Sequence, residues 1–117
     1  QYTLHPHRRD DLIDIFDAHF VEPQEAAGMT VIGQFRNLDD PNRFVWLRGF
    51  SSMEARARGL AEFYGGPEWK SRRNAANETI IDNDNVLLLR PVHPASAFVL
   101  TDELRAAMNA RRRGPRC

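Results

Sequence analysis

The sequence predicts an α+β domain whose sheet is covered on both faces, and three observations lead there. Short apolar runs bounded by turn residues alternate with segments of helical periodicity. A chain of 117 residues with 42% apolar content is long enough for one core without disulfides or metal. Two strand-like runs, Phe44-Val45-Trp46-Leu47 and Val86-Leu87-Leu88-Leu89, are apolar without interruption, whereas a sheet with one wet face would alternate apolar with polar.

Gln1-Tyr2-Thr3-Leu4-His5 alternates and reads as a first strand, stopped by Pro6. Leu12, Ile13, Phe16, His19 and Phe20 fall at helical spacing from Asp11 to Phe20, with acids at the start, where the helix dipole favours them. Pro23 to Ala27 reads as a further turn, and Gly28 as its C-terminal stop. Met29 to Phe35 is a second strand, Asn37 to Asn42 a turn cluster, and Phe44 to Phe50 a third strand. Ser51-Ser52-Met53-Glu54 matches a capping box for a helix whose inward stripe is read as Met53, Ala57, Leu60 and Tyr64, with Phe63 beside it. Gly65-Gly66 ends that helix, and Pro67 opens a shorter one to Ala76. After the turn Asp82 to Asn85, Val86 to Leu89 reads as the fourth strand.

The order β-α-β-β-α-β is the ferredoxin-like plan with a four-stranded antiparallel sheet. Two helices cover one face of such a sheet. A second copy of the sheet is the simplest cover for the other, and a tail folded back over it is the alternative. Residues 1–92 form the expected domain, and residues 93–117 an extension with a helix from Thr101 through Ala110 and a basic end.

Lys plus Arg equals Asp plus Glu, 16 each, so no global field draws the chain to nucleic acid or membrane, and neither is an expected partner. The charge is uneven: 11 basic and 14 acidic side chains over residues 1–91, and five arginines against two acids beyond. The run Arg111-Arg112-Arg113-Gly114-Pro115-Arg116 reads first as a solvated terminus. One cysteine, Cys117, excludes an internal disulfide and a thiol pair for zinc. A reducing, cytoplasmic setting is expected. No apolar run approaches the ~18 residues of a membrane span. The chain opens without Met on what reads as a strand, as a trimmed or processed piece would, and shows no basic-then-apolar leader.

No phosphate-binding glycine loop, His-Glu-x-x-His or Gly-x-Ser-x-Gly is present. His5-Pro6-His7 would need further metal ligands, with His19 or Glu22 nearest in sequence, so no metal and no cofactor is expected. Period two puts Phe44, Trp46 and Arg48 on one face of the third strand. Trp69 and Arg73, at i and i+4, share a side of the short helix, and Tyr64 ends the helix before it. If the helices pack on that face, Trp46, Arg48, Tyr64, Trp69 and Arg73 converge on a cleft. Aromatic walls with a few placed polar groups suit a small ring, and Arg48 and Arg73 suit an anionic oxygen. His19 or His5 would move a proton. The bland alternatives are that Trp46 is core or interface, that His19 is a hydrogen-bonded core histidine, and that the arginines pair with Asp39, Glu62 or Glu68.

These residues carry a resemblance. Tyr2-Thr3-Leu4, Phe20-Val21-Glu22-Pro23, Phe44-Val45-Trp46-Leu47-Arg48-Gly49-Phe50, Phe63-Tyr64-Gly65-Gly66-Pro67 with Trp69-Lys70, and Asp84 to Leu89 resemble, in order, the NIPSNAP family. The likeness covers residues 1–91. It implies the dimeric α+β barrel, in which two ferredoxin-like sheets pack face to face as a homodimer. The wider superfamily includes cofactor-free monooxygenases on phenols, haem-degrading enzymes and lactone isomerases. By that analogy the chain is expected to bind or transform a small aromatic or polyketide-like metabolite, with a non-catalytic binding or protein-interaction module as the alternative. A haem-degrading role is disfavoured, because no Asn, Trp and His set falls on matching positions.

Overall fold

The computed structural model describes residues 1–99, 101–103 and 106. The chain divides into two compact units, Gln1–Val86 and Leu87–Cys117. The first holds β1 (Tyr2–Leu4), α1 (Arg9–His19), α2 (Val21–Ala26), β2 (Thr30–Arg36), β3 (Arg43–Gly49), α3 (Met53–Tyr64), α4 (Pro67–Asn77) and β4 (Ile80–Asp82). The strands form one antiparallel sheet in the order β2-β3-β1-β4, and the fold is ferredoxin-like α+β. In the second unit Pro94–Ser96 is a short 3₁₀ turn, and Asp102, Glu103 and Ala106 are helical. The rest of the expected tail helix, and the basic run 111–116, lie outside the described residues.

The fourth strand departs from the sequence reading. It is Ile80–Asp82, directly after α4, and not Val86 to Leu89. Thr79 makes the turn: fully buried, it sends its backbone N–H and its hydroxyl to the Ala76 carbonyl. Its own carbonyl accepts from the His5 N–H, which sets Ile80 across from Leu4. The Asp84 N–H then bonds the Asp82 carboxylate and closes the strand. Residues 86–89 form no strand and are 64–73% exposed.

The register assigns the faces of β3. Phe44, Trp46 and Arg48 share one side, and their partners across β2 include Arg36, Gln34 and Val31. That side meets the helices. Gln34 donates to Asp17 and Arg36 to Asp10, both on α1, and the Phe16 ring stands 5.4 Å from Phe44 and 4.8 Å from Trp46. The core gathers Leu4, Leu12, Phe16, Phe20, Val21, Met29, Val31, Phe44, Phe63 and Ala76. Val45 and Leu47 point the other way, across from Phe35 and Gly33, and belong to no part of that core. Phe35 (47% exposed) folds its ring over Gly33, where a Cβ would stand 2.7 Å from its Cζ.

Two details of α3 also differ from the sequence reading. The cap is Ser52, whose Oγ accepts from the Ala55 N–H, and not the Ser51/Glu54 box. The buried positions are Gly59 and Phe63, while Met53 is 62% exposed and Ala57 lies at the surface. Leu60, Tyr64 and Phe63 of the expected inward side do pack on the core, and Gly59 abuts the buried Met29.

A second anchor holds the far end of the sheet. Arg9 Nη1 donates to the carbonyls of Asn37, Asp40 and Arg43, around the β2–β3 turn.

Gly59→Ala tests the α3 contact. Helix propensity alone would stabilise by about 1 kcal/mol. The new Cβ, however, would meet Met29 Cγ at 2.7 Å and the Ala27 carbonyl at 3.2 Å, and overpacking costs about 1–3 kcal/mol. Urea unfolding is expected to show net destabilisation; a gain would refute the close packing.

Candidate functional site

Between the helix-side face of the sheet and α1–α4 lies a cavity of about 170 Å³. This exceeds the ~150 Å³ that accommodates one benzene and falls short of the ~300–1,000 Å³ of drug-sized sites. One ring is therefore the size class.

Each element supplies wall residues. β1 presents Tyr2, α1 presents Leu12 and Phe16, and α2 presents Gln24, with Phe20 just before it. β3 presents Trp46, α3 presents Phe63 and Tyr64, and α4 presents Trp69, Ala76 and Asn77. Ile80 and Asn83 close the side nearest β4. The rings hold each other edge-on: Tyr64 to Trp69 at 5.0 Å, Phe63 to Tyr64 at 4.9 Å, Phe20 to Phe63 at 5.9 Å and Tyr2 to Trp46 at 6.3 Å. Such pairs contribute about 0.5–1.5 kcal/mol each beyond burial, so the wall is stiff.

The polar end is built by residues from three elements. Arg48 Nη1 donates to Gln24 Oε1 at 2.8 Å and to the Tyr64 hydroxyl at 3.4 Å. The guanidinium carbon lies 4.5 Å above the Trp46 ring and 5.7 Å from Phe50. Gln24, 1% exposed, spends its amide N–H on the Phe20 carbonyl at 2.6 Å, which turns its oxygen to Arg48. The Tyr2 phenol is shifted above its ordinary value near 10: burial is the main cause and the nearby Tyr64 adds to it, while the Trp46 N–H and the Arg48 charge pull down. At neutral pH Tyr2 is therefore a hydrogen-bond donor and not a base.

Of the residues singled out in the sequence, Trp46, Tyr64 and Trp69 line the cavity; Arg48 is outside the lining but bonds two of its residues, Gln24 and Tyr64. Trp46 and Arg48 thus face the helices and not the outer face. Arg73 is exposed and outside the lining of this cavity; α4 presents Trp69 and Ala76 inward and turns position 73 to water. His5 is exposed and outside the lining. His19 is half-buried, with Nδ1 2.7 Å from Glu68 Oε1, which ties α1 to α4 beside the cavity without lining it. Its bland reading is the one the geometry favours.

Tyr2 and Gln24 went unread in the sequence. Tyr2 had a signal, since it shares parity with Leu4 on the first strand. Gln24 had none, because a polar residue after Pro23 reads as exposed. Among the described residues no group of three His, Cys, Asp or Glu side chains could hold a metal, and no helix is long and apolar enough to cross a membrane.

A family model for NIPSNAP matches residues 1–95. The chain belongs to the NIPSNAP family. The match spans the four NIPSNAP strands and every residue of the cavity wall. Comparison with curated proteins and with solved structures returned no match.

The Tyr2 shift has a consequence for stability. A folded-state phenol pKa above the unfolded value means that the folded state keeps its proton longer. The contribution is complete below about pH 10 and is lost as pH rises through the folded value. Alkaline unfolding followed by circular dichroism is expected to lose this component in Tyr2→Phe; an unchanged alkaline limb would refute it.

Proposed function

We propose that this NIPSNAP-family chain binds a small aromatic or polyketide-like metabolite in the cavity between sheet and helices, in a reducing, cytoplasmic setting. The observation that carries the reading is a one-ring cavity with Trp46 and Trp69 as walls and two phenols beside a guanidinium at one end. The rings supply stacking area. Tyr64 and Tyr2 supply hydroxyls in the wall, and Arg48 stands behind Tyr64 and Gln24 as the charge a ring oxygen would turn towards.

Transformation of that metabolite is the further step, of the cofactor-free monooxygenase, cyclase or isomerase kind. The polar end would lower the cost of forming an enolate or phenolate, as preorganised donors do. One observation favours the second reading, a binding module without turnover. Among the described residues the cavity wall carries no carboxylate and no imidazole, so the proton of an enolising substrate has no ready acceptor there.

Quenching of tryptophan fluorescence by single-ring phenols tests the site. Arg48→Ala is expected to weaken binding by about 1–3 kcal/mol, the range of a charged hydrogen bond. Arg73→Ala is expected to leave it unchanged. Equal effects of the two would place the ligand elsewhere. Chromatography of the bound phenol after long incubation separates turnover from binding.

The dimer belongs to the same proposal. Val45, Leu47 and Phe35 give the outer face an apolar strip that the core does not use. A second copy of the sheet satisfies it, with ~800 Å² per partner as the ordinary requirement. Sedimentation at micromolar concentration is expected to give twice 13.4 kDa, and Leu47→Glu to give the monomer. A wild-type monomer would sink this part.

A further inference from the structure

Arg48 is a partly buried cation held by neutral hydrogen-bond partners. Its hydrogen bonds among the described residues go to an amide oxygen and a phenol, both through Nη1. Its faces lie against the rings of Trp46, Phe50 and Tyr64. The ion pairs Arg8–Asp11, His19–Glu68, Arg36–Asp10 and Arg43–Asp40 do not include it. Cations removed from water are ordinarily matched by a carboxylate. The partner in the position a carboxylate would take is Gln24, which has the length of glutamate without its charge. It is 1% exposed, and Phe20 holds it in place through the second half of its amide.

We propose that Gln24 determines the charge of what the cavity accepts. By meeting Arg48 with a neutral oxygen, it orients the guanidinium without neutralising it. The charge is completed by the ligand, a one-ring aromatic that carries a conjugated oxyanion, either a carboxylate or a phenolate. The inference rests on the cavity being the ligand site and adds the ionisation state of the ligand and the residue that selects it. Gln24 is a positioning residue: it acts through Arg48.

The experiment titrates the full chain with matched pairs by tryptophan fluorescence. Benzoate against benzamide reads carboxylate selection, and 4-nitrophenolate against 4-nitroanisole reads phenolate selection. The wild type is expected to prefer the anion of at least one pair by about tenfold, the margin of a charged over a neutral hydrogen bond. Gln24→Glu places a carboxylate against Arg48 and is expected to erase the preference. Gln24→Met keeps the site neutral and is expected to retain the preference at weaker overall binding. Both variants lose the bond to Phe20, so what separates them is the charge facing Arg48. Circular dichroism of each variant reports folding, and Gln24→Met alone carries the test of neutrality if Gln24→Glu does not fold: a lost preference there overturns the proposal. Equal binding of anion and neutral partner by the wild type overturns it while leaving the cavity as a ligand site. Binding of neither pair overturns the ligand site itself. Identical selectivity of the two variants removes Gln24 from its role.

Discussion

Phe16 stands against both Phe44 and Trp46, and that contact decides which side of the central strand pair faces the helices. Phe44 is fully buried by it. Once Phe44 is inward, the two-residue period carries Trp46 and Arg48 to the same side. The register then brings Tyr2 across from Phe44 and Gln34 across from Trp46. The cavity wall is thus a consequence of one aromatic contact propagated along a pleat. The helices add Phe63, Tyr64 and Trp69 from above, and the rings meet edge-on because the positive ring edge prefers the negative face.

The same arrangement explains why the cavity is small and why the one guanidinium tied to its wall stands at the edge. Bulky rings from five elements leave one ring's worth of space. Arg48, the last inward residue of β3, reaches the edge of that space, where α2 and α3 can bond its guanidinium. A charge farther in would have no donors or acceptors left to satisfy it.

Much of this was legible in the sequence. The β-α-β-β-α-β order, the antiparallel hairpin and the common face of Trp46 and Arg48 follow from periodicity and turn chemistry, which are local. The fourth strand was not legible in that way. Ile80-Ile81-Asp82 is short and close to a helix end, whereas Val86 to Leu89 is the stronger apolar run. Pairing across the sheet through Thr79 and His5 chose the weaker one. The stripe of α3 was legible only in part: Leu60, Tyr64 and Phe63 pack on the core, but glycine carries no hydrophobic signal, and Gly59 sets how near the helix comes to Met29. Gln24 and Arg73 fail in opposite senses. Tertiary contacts buried the amide and left the guanidinium in water, and neither position carries a mark in its own neighbours.

The anchor at Arg9 has a different reach. One nitrogen collects carbonyls 28, 31 and 34 residues downstream, which ties the turn between β2 and β3 to the first turn of α1. Opening the turn would strip Arg9 of its acceptors, and fraying the helix start would release the turn. The two segments would therefore exchange their amide hydrogens as one cooperative unit although they are distant in sequence. The hairpin that carries Trp46 and Arg48 inherits the stability of a helix it does not belong to.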